Sequence, residues 1–392
     1  MRKNNLFKHT FWKSVSIVIV LFGVYSLISR FVYGLGRTTN LSDMVPWGLW
    51  IGFDFIGVGL AAAGFTIAAT AHIFNEHKYH SIVRPAILTA YIGYIIVIAL
   101  LIIDLGKPEN FWHPLVMWNI HSVMFEITWC VICYSTVLTL EFAPVILEKF
   151  KLKAPLKLLR KISIPVVVCG VLFSTLHQSS FGSLYLIAPA KVYPLWYSSY
   201  LPVHFFISCI AAGLSMIIFE AYLCARALNQ GLQVWVLSGL GKLILAVLSI
   251  ELVFKFSDLI ISGKFSYLFM NLEETYLFWL EIFVGFIVPI TILLIPGYLN
   301  NRKWLYFASI FTISGFVLNR LNVSISSLVR TSGLSYAPTF YEISITLMLV
   351  VLGMIAFRLV TENFAVFEKR IEIENPVQVT PGPEQKELIF GK

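Results

Sequence analysis

The chain has 392 residues, 58% hydrophobic and 13% charged, with a mean hydropathy of +0.81. Soluble domains carry about 25% charged residues, and here the apolar runs recur with gaps too short to hold a soluble domain, so the composition excludes a water-soluble globular protein. The formal charge of +8 lies in the gaps between runs rather than on a helix face or in a tail, which argues against nucleic acid and for a topology signal.

In chain order, Arg2, Lys3, Lys8 and Lys13 lead into an apolar run, Ser14 to Val32. That run is too long for a signal-peptide core and no A-x-A-like site follows it, so the expectation is an uncleaved first helix. Crossing a hydrocarbon core of roughly 30 Å takes about 20 apolar residues in a helix. Ten segments qualify: Phe11 to Val32, Pro46 to Phe74, Pro85 to Asp104, Ile120 to Leu147, Ile164 to Ala188, Ser199 to Leu228, Val234 to Ile261, Tyr276 to Pro296, Trp304 to Asn322 and Thr339 to Phe364. Alternate gaps hold few basic residues, chiefly Arg37, Lys107, Lys191, Lys264 and Arg330. The opposite side collects the N-terminal four, Lys78, Arg84, the cluster Lys149, Lys151, Lys153, Lys157, Arg160 and Lys161, and then Arg226, Arg302, Lys303, Lys369 and Arg370. By the positive-inside rule that side is cytoplasmic and holds both termini.

The sparsely charged gaps are rich in aromatics, as in FWHPLVMW at Phe111 to Trp118 and YPLWYSSY at Tyr193 to Tyr200. They read as an interfacial belt or as a docking surface for an external partner. Cys130, Cys133, Cys169, Cys209 and Cys224 all fall within apolar segments, so neither a disulfide framework nor a zinc site is indicated, and no metal site is expected in this chain. The division expected is a membrane domain over residues 1–368 and a cytoplasmic tail without its own fold over 369–392.

An ionisable side chain at the bilayer centre costs roughly 2.5–3.5 kcal/mol even on lenient scales. The segments nevertheless contain Asp54, Asp104, Glu126, His177, Glu220, Glu251, Lys255, Asp258 and Glu281. Helical rise and alternating direction place Asp54 about two turns below the outer face, Asp104 at the outer end, Glu126 roughly two turns in, His177 central to outer and Glu220 near the cytoplasmic side. Tyr94 adds a hydroxyl at intermediate depth. Such a ladder suits a proton path, in which each group both accepts and donates; the alternative is that each makes a private helix-to-helix hydrogen bond. Lys255 is expected to pair with Glu251 or Asp258 on its own helix. A bis-histidine haem needs two deep histidines on facing helices, and His72, His121 and His204 lie near helix ends, so the chain is expected to be haem-free. A secondary transporter would show interrupted helices about a midplane site; these runs read as continuous, with Gly57, Gly59 and Gly64 allowing either close packing or a bend.

The stretches FVYGLG (Phe31 to Gly36), PWGLWIGFDF (Pro46 to Phe55), HSIVRPAIL (His80 to Leu88), HSVMFE (His121 to Glu126), LEFAPVILEK (Leu140 to Lys149) and HQSSFGSL (His177 to Leu184) together resemble the hydrogenase-linked branch of the NrfD/polysulfide-reductase membrane-anchor family. The resemblance runs from about Phe31 to Phe364. It implies an all-α subunit of the bacterial inner membrane with a core of two four-helix bundles, the second to fifth and the sixth to ninth spans, and extra helices outside. It also implies a quinone, menaquinone in particular, as the redox cofactor. The partners implied are a periplasmic ferredoxin-like iron–sulfur subunit and the small and large subunits of a [NiFe] hydrogenase, which hold the iron–sulfur clusters and the NiFe centre. Other members of the family serve molybdopterin reductases or multihaem cytochromes. By the same resemblance Glu126, His177, Glu220 and Tyr94 match proton-transfer positions, and Asp54, Asp104 and His177 match positions at the quinone, with Trp47 and Arg84 weaker candidates there; Arg84, at the cytoplasmic end, reads instead as part of the inner proton entrance or a helix cap. The expected activity is hydrogen:quinone oxidoreduction, with protons drawn from the cytoplasm.

Overall fold

The computed structural model describes residues 2–72, 80–227 and 234–367, and every regular element among them is helical. The long helices, in chain order, are α1 (Arg2–Tyr33), α2 (Leu49–His72), α3 (His80–Asp104), α4 (Val123–Lys149), α5 (Ser163–Leu186), α6 (Leu201–Ala227), α7 (Val234–Ile261), α8 (Glu273–Leu294), α9 (Arg302–Ser332) and α10 (Phe340–Asn363). Among the described residues, nine helices are long and apolar enough to cross a membrane. The other predicted crossing, α7, is a helix of 28 residues that carries Lys242, Glu251, Lys255 and Asp258. The predicted tail, 369–392, and the gap containing Lys78 lie outside the described residues.

The helices run up and down, so the molecule has a basic end and an aromatic end. Neighbouring helices α2, α3, α4 and α5 close a ring, and α6, α7, α8 and α9 close a second one. The rings join where α6 packs on α2 and α5 and where α9 packs on α2. Outside them α1 pairs with α10, and α10 lies against α3. Large apolar side chains such as Leu21, Ile28, Val253 and Met354 are exposed on the perimeter, as a lipid-facing surface requires. This is the all-α, two-bundle architecture expected, with two helices outside it.

Lipid gives helices no hydrophobic reason to associate, so small residues that let backbones approach decide the packing. The glycines of α2 do this rather than bend it: a Cβ at Gly57 would stand 2.8 Å from Val97 Cγ2, and one at Gly64 would stand 2.8 Å from Ala90 Cβ. Continuity fails in the second bundle, where α8 contains a π-helical turn at Phe283–Ile287 and α9 another at Asn322–Ser326. In α8 the turn lies just ahead of Pro289, whose missing N–H disturbs the regular ladder. In α9 the hydroxyls of Ser324 and Ser327 donate to the carbonyls of Arg320 and Asn322, at 2.6 and 3.0 Å. Side-chain back-bonding of this kind loosens a helix locally.

At the basic end Arg84 contacts Glu148 at 3.0 Å and donates to the Ala365 carbonyl at 2.9 Å, tying α3 to the ends of α4 and α10. Arg160 of the short helix Lys153–Lys161 joins Glu148 at 3.1 Å. At the aromatic end Arg30 donates to the carbonyls of Ile103 and Leu105, at 2.9 and 2.7 Å, capping α3 from α1.

Replacing Gly64 with Val overpacks the α2–α3 contact and is expected to cost about 1–3 kcal/mol. Thermal unfolding in detergent should show the loss, and adding Ala90→Gly to the same chain should recover part of it.

Candidate functional site

The first bundle encloses a seam of polar side chains that starts near its basic end. There Thr89 of α3 donates to Glu220 Oε2 of α6 at 2.7 Å, while Glu220 Oε1 is buried without a partner among the described residues. Five residues further along α3, about 7.5 Å by helical rise, Tyr94 reaches α5: its hydroxyl lies 3.0 Å from His177 Nδ1. Tyr94 and His177 are completely buried. The Tyr134 ring meets Tyr94 edge-on at 4.7 Å, and Phe181 covers His177 at 4.6 Å. Another turn along α5, Ser180 donates to Glu126 Oε1 at 2.6 Å.

Side-chain atoms with no partner among the described residues concentrate in this seam: His177 Nε2, both polar atoms of Gln178, Asp54 Oδ1 and Tyr185 Oη. Buried polar atoms are nearly always satisfied in folded proteins, so a group of orphans marks a place where water or ligand atoms belong. Towards the aromatic end the seam meets a cavity walled by Pro46, Trp47, Leu184, Ile187 and Leu328, with Lys191 at its rim. Trp47 sits edge-on to Tyr185 at 5.5 Å, and Phe55 packs on Phe181 at 4.6 Å, so aromatic rings line the approach from cavity to seam. An apolar pocket with a few polar groups behind it is the usual form of a cofactor site. Among the described residues no three His, Cys, Asp or Glu side chains stand together as metal ligands would.

The structure thus brings Tyr94 and His177 into contact and puts Trp47 at the cavity and buried Asp54 on the neighbouring turns of α2. Glu126 lies nearer the membrane surface than the two turns expected: Ser122 caps α4, so Glu126 falls in its first turn and is exposed. Asp104 lies apart from the cavity, at the end of α3 where Arg30 donates to the carbonyls on either side of it.

Lys255 does not pair within its own helix. Its ammonium contacts Glu281 of α8, because Glu251 is taken by His204, whose Nδ1 lies 2.8 Å from Glu251 Oε1. Glu281 also accepts from Asn319 at 2.9 Å, Trp196 at 3.0 Å and Asn322 at 3.1 Å. Arg320, missing from the inventory of charges above, is 1% exposed and stands 3.8 Å from the Phe205 ring centre. Its position in the sequence, two residues before the predicted end of a span, hid its depth. Glu141, within the fourth predicted span, was likewise missed, as were the hydroxyls of Thr89, Ser180 and Tyr134.

A family model described as "Polysulphide reductase, NrfD" matches residues 37–331. The chain belongs to the NrfD family. A protein of Nitratidesulfovibrio vulgaris is 37% identical over 361 residues, 89% of this chain and 92% of that one. The "Probable Ni/Fe-hydrogenase 2 b-type cytochrome subunit" of Escherichia coli is 32% identical, with 88% of this chain and 91% of that protein covered, which makes this NrfD chain HybB-like. The "Menaquinone reductase, integral membrane subunit" of N. vulgaris is 27% identical, with 94% of each chain covered.

Tyr94→Phe keeps the ring against Tyr134 and removes the hydroxyl from His177. The orphaned imidazole is expected to cost about 1–3 kcal/mol of stability. Thermal unfolding of the purified protein measures this, and an unchanged midpoint would mean that the contact carries no weight.

Proposed function

We propose that this NrfD-family chain is the quinone-reactive membrane subunit of a respiratory [NiFe] hydrogenase complex in a bacterial inner membrane, with both termini in the cytoplasm. The observation that carries the reading is the run of orphaned polar atoms between Glu220 and the Trp47 cavity, since a purely structural seam would satisfy them. The family match and the hydrogenase and menaquinone reductase relatives support it.

The residues fit a quinone: Pro46, Leu184, Ile187 and Leu328 suit an isoprenoid chain, Trp47 a flat ring, and Tyr185 and Asp54 lie behind them as polar groups. A quinone bound there, menaquinone in particular, supplies two-electron, two-proton redox chemistry. Trp47 and Tyr185 orient the ring and shut out bulk water. Glu220 takes up protons from the cytoplasmic side with Thr89 holding one carboxylate oxygen. Tyr94 and His177 carry protons through the middle of the bundle, because a phenol and an imidazole each donate and accept. Asp54 and the Ser180–Glu126 pair serve the outer half, and Asp104 the outer rim. Electrons pass between the pocket and a periplasmic ferredoxin-like iron–sulfur subunit, and from there to the hydrogenase small and large subunits, docked on the aromatic end. Haem fits less well, because His177 faces Tyr94 in one bundle and His204 faces Glu251 in the other.

The menaquinone reductase relative favours a second reading, the same quinone site serving another oxidoreductase. Copurification with metal analysis separates the two: nickel is expected with the complex beside the iron of its clusters, and molybdenum in place of nickel would shift the partner.

Glu220→Gln retains shape and removes the titrating group. In proteoliposomes it should lower quinone-linked turnover by roughly tenfold or more, whereas wild-type turnover and proton movement would contradict the route. Trp47→Ala should raise the quinone KM more than it lowers kcat, which steady-state kinetics over quinone concentration will show.

A further inference from the structure

The second bundle holds buried charges that the proposed quinone chemistry does not use. His204, Glu251, Lys255 and Asp258 line a cavity running from Tyr197 and Asp258 at the aromatic end to Thr312 and Gly315 near mid-span. Every helix of the bundle contributes to its wall, with Ser208 from α6, Gly285 from α8 and Asn319 from α9, and behind that wall Glu281 accepts from Lys255 and Asn319 while Arg320 donates to Ser208. At the mouth Lys264 donates to the Tyr197 carbonyl at 2.6 Å, and burial, opposed by Asp258, lowers its pKa. Ion pairs this deep in a membrane are costly and are found facing cavities that carry ions or protons.

Two further observations separate this cluster from a structural brace. The π-helical turns of α8 and α9 begin within two residues of Glu281 and Arg320, and such turns recur at functional sites. Between them a Cβ at Gly285 would lie 2.9 Å from Gly315 Cα, so backbones rather than side chains form the contact. Of the buried carboxylate oxygens lining the cavity, Glu251 Oε2 alone has no partner among the described residues.

We propose that the second bundle carries its own proton-binding site, held by His204 and Glu251 and in exchange with the aromatic-end solution, so that this subunit moves protons beyond those consumed at the quinone. One orphan oxygen suits a proton, whereas a hard cation needs about six free oxygens, and Glu281 has given both of its own to Lys255, Asn319, Trp196 and Asn322. The formal charges of Lys255 and Arg320 offset those of Glu281 and Asp258, so the proton shared by His204 and Glu251 is the variable charge. Uptake of a proton originating at the basic end forms one O–H bond at Glu251 or one N–H bond at His204, release to the aromatic-end solution breaks it, and no electron moves. α6 links this site to the first bundle, since it carries His204 near one end and Glu220 near the other. The proposal rests on the quinone reading only for its driving reaction.

The test uses the intact complex in proteoliposomes and compares Glu251→Gln and His204→Gln with wild type. Electron transfer to added quinone under uncoupler should stay within about twofold of wild type, while protons moved per electron fall to the value set by quinone chemistry alone. An unchanged ratio in both variants overturns the proposal, and so does a requirement for sodium, which would assign a metal cation to the cavity. Absence of any quinone-linked turnover in wild type would instead be the failure of the earlier reading. Infrared pH-difference spectra of the same complex then decide: a carboxylic C=O band lost in Glu251→Gln supports the site, and identical spectra overturn it.

Discussion

Hydrocarbon does not solvate charge, and the arrangement of this chain follows from where each ionisable side chain finds a substitute for water. Arg320 finds it in the Ser208 hydroxyl, the Phe205 carbonyl and two phenylalanine faces. Glu281 finds it in one ammonium, two amides and an indole. These needs are met only when four helices close around them, so each bundle is a ring with a polar interior and an apolar outside. α1 and α10, which carry few such groups, lie outside the rings.

Within that common plan the two bundles differ. In the first, many of the polar groups keep an unsatisfied atom: His177, Gln178, Tyr185 and Asp54. In the second, Lys255 pairs with Glu281 and His204 with Glu251, Arg320 rests on neutral acceptors and two phenylalanine faces, and π-helical turns interrupt α8 and α9 beside them. An under-satisfied seam favours groups that gain and lose partners as protons pass, and a paired cluster favours fixed charge around one exchangeable site. α6 is common to both, so the rigid body that carries Glu220 also carries His204.

Much of this was legible in the sequence because membranes reduce folding to length, hydropathy and charge. The ten helices and the intermediate depths of Tyr94 and His177 followed from 1.5 Å per residue and alternating direction, while the two-bundle core was implied by the family resemblance and the contact between Tyr94 and His177 is a finding of the structure. Pairings set by tertiary contact were not legible. Lys255 has two carboxylates within a turn of its own helix and uses neither, because the next helix, α8, brings Glu281, 26 residues further on, to it. Glu126 was placed too deep because a serine cap starts its helix three residues late. Arg320 was missed because α9 continues through a π-helical turn to Ser332, well past the point where hydropathy fades.

The central claim is that the titrating groups of the first bundle form one connected, hydrated route ending at a quinone. A cryo-EM map of the complex with bound quinone, at a resolution that shows ordered water, tests it most directly. The account predicts density for water between Glu220 Oε1, the Tyr94–His177 pair and Asp54, and a quinone ring against Trp47. Dry, separately sealed contacts at those residues, or a quinone seated elsewhere, would contradict it.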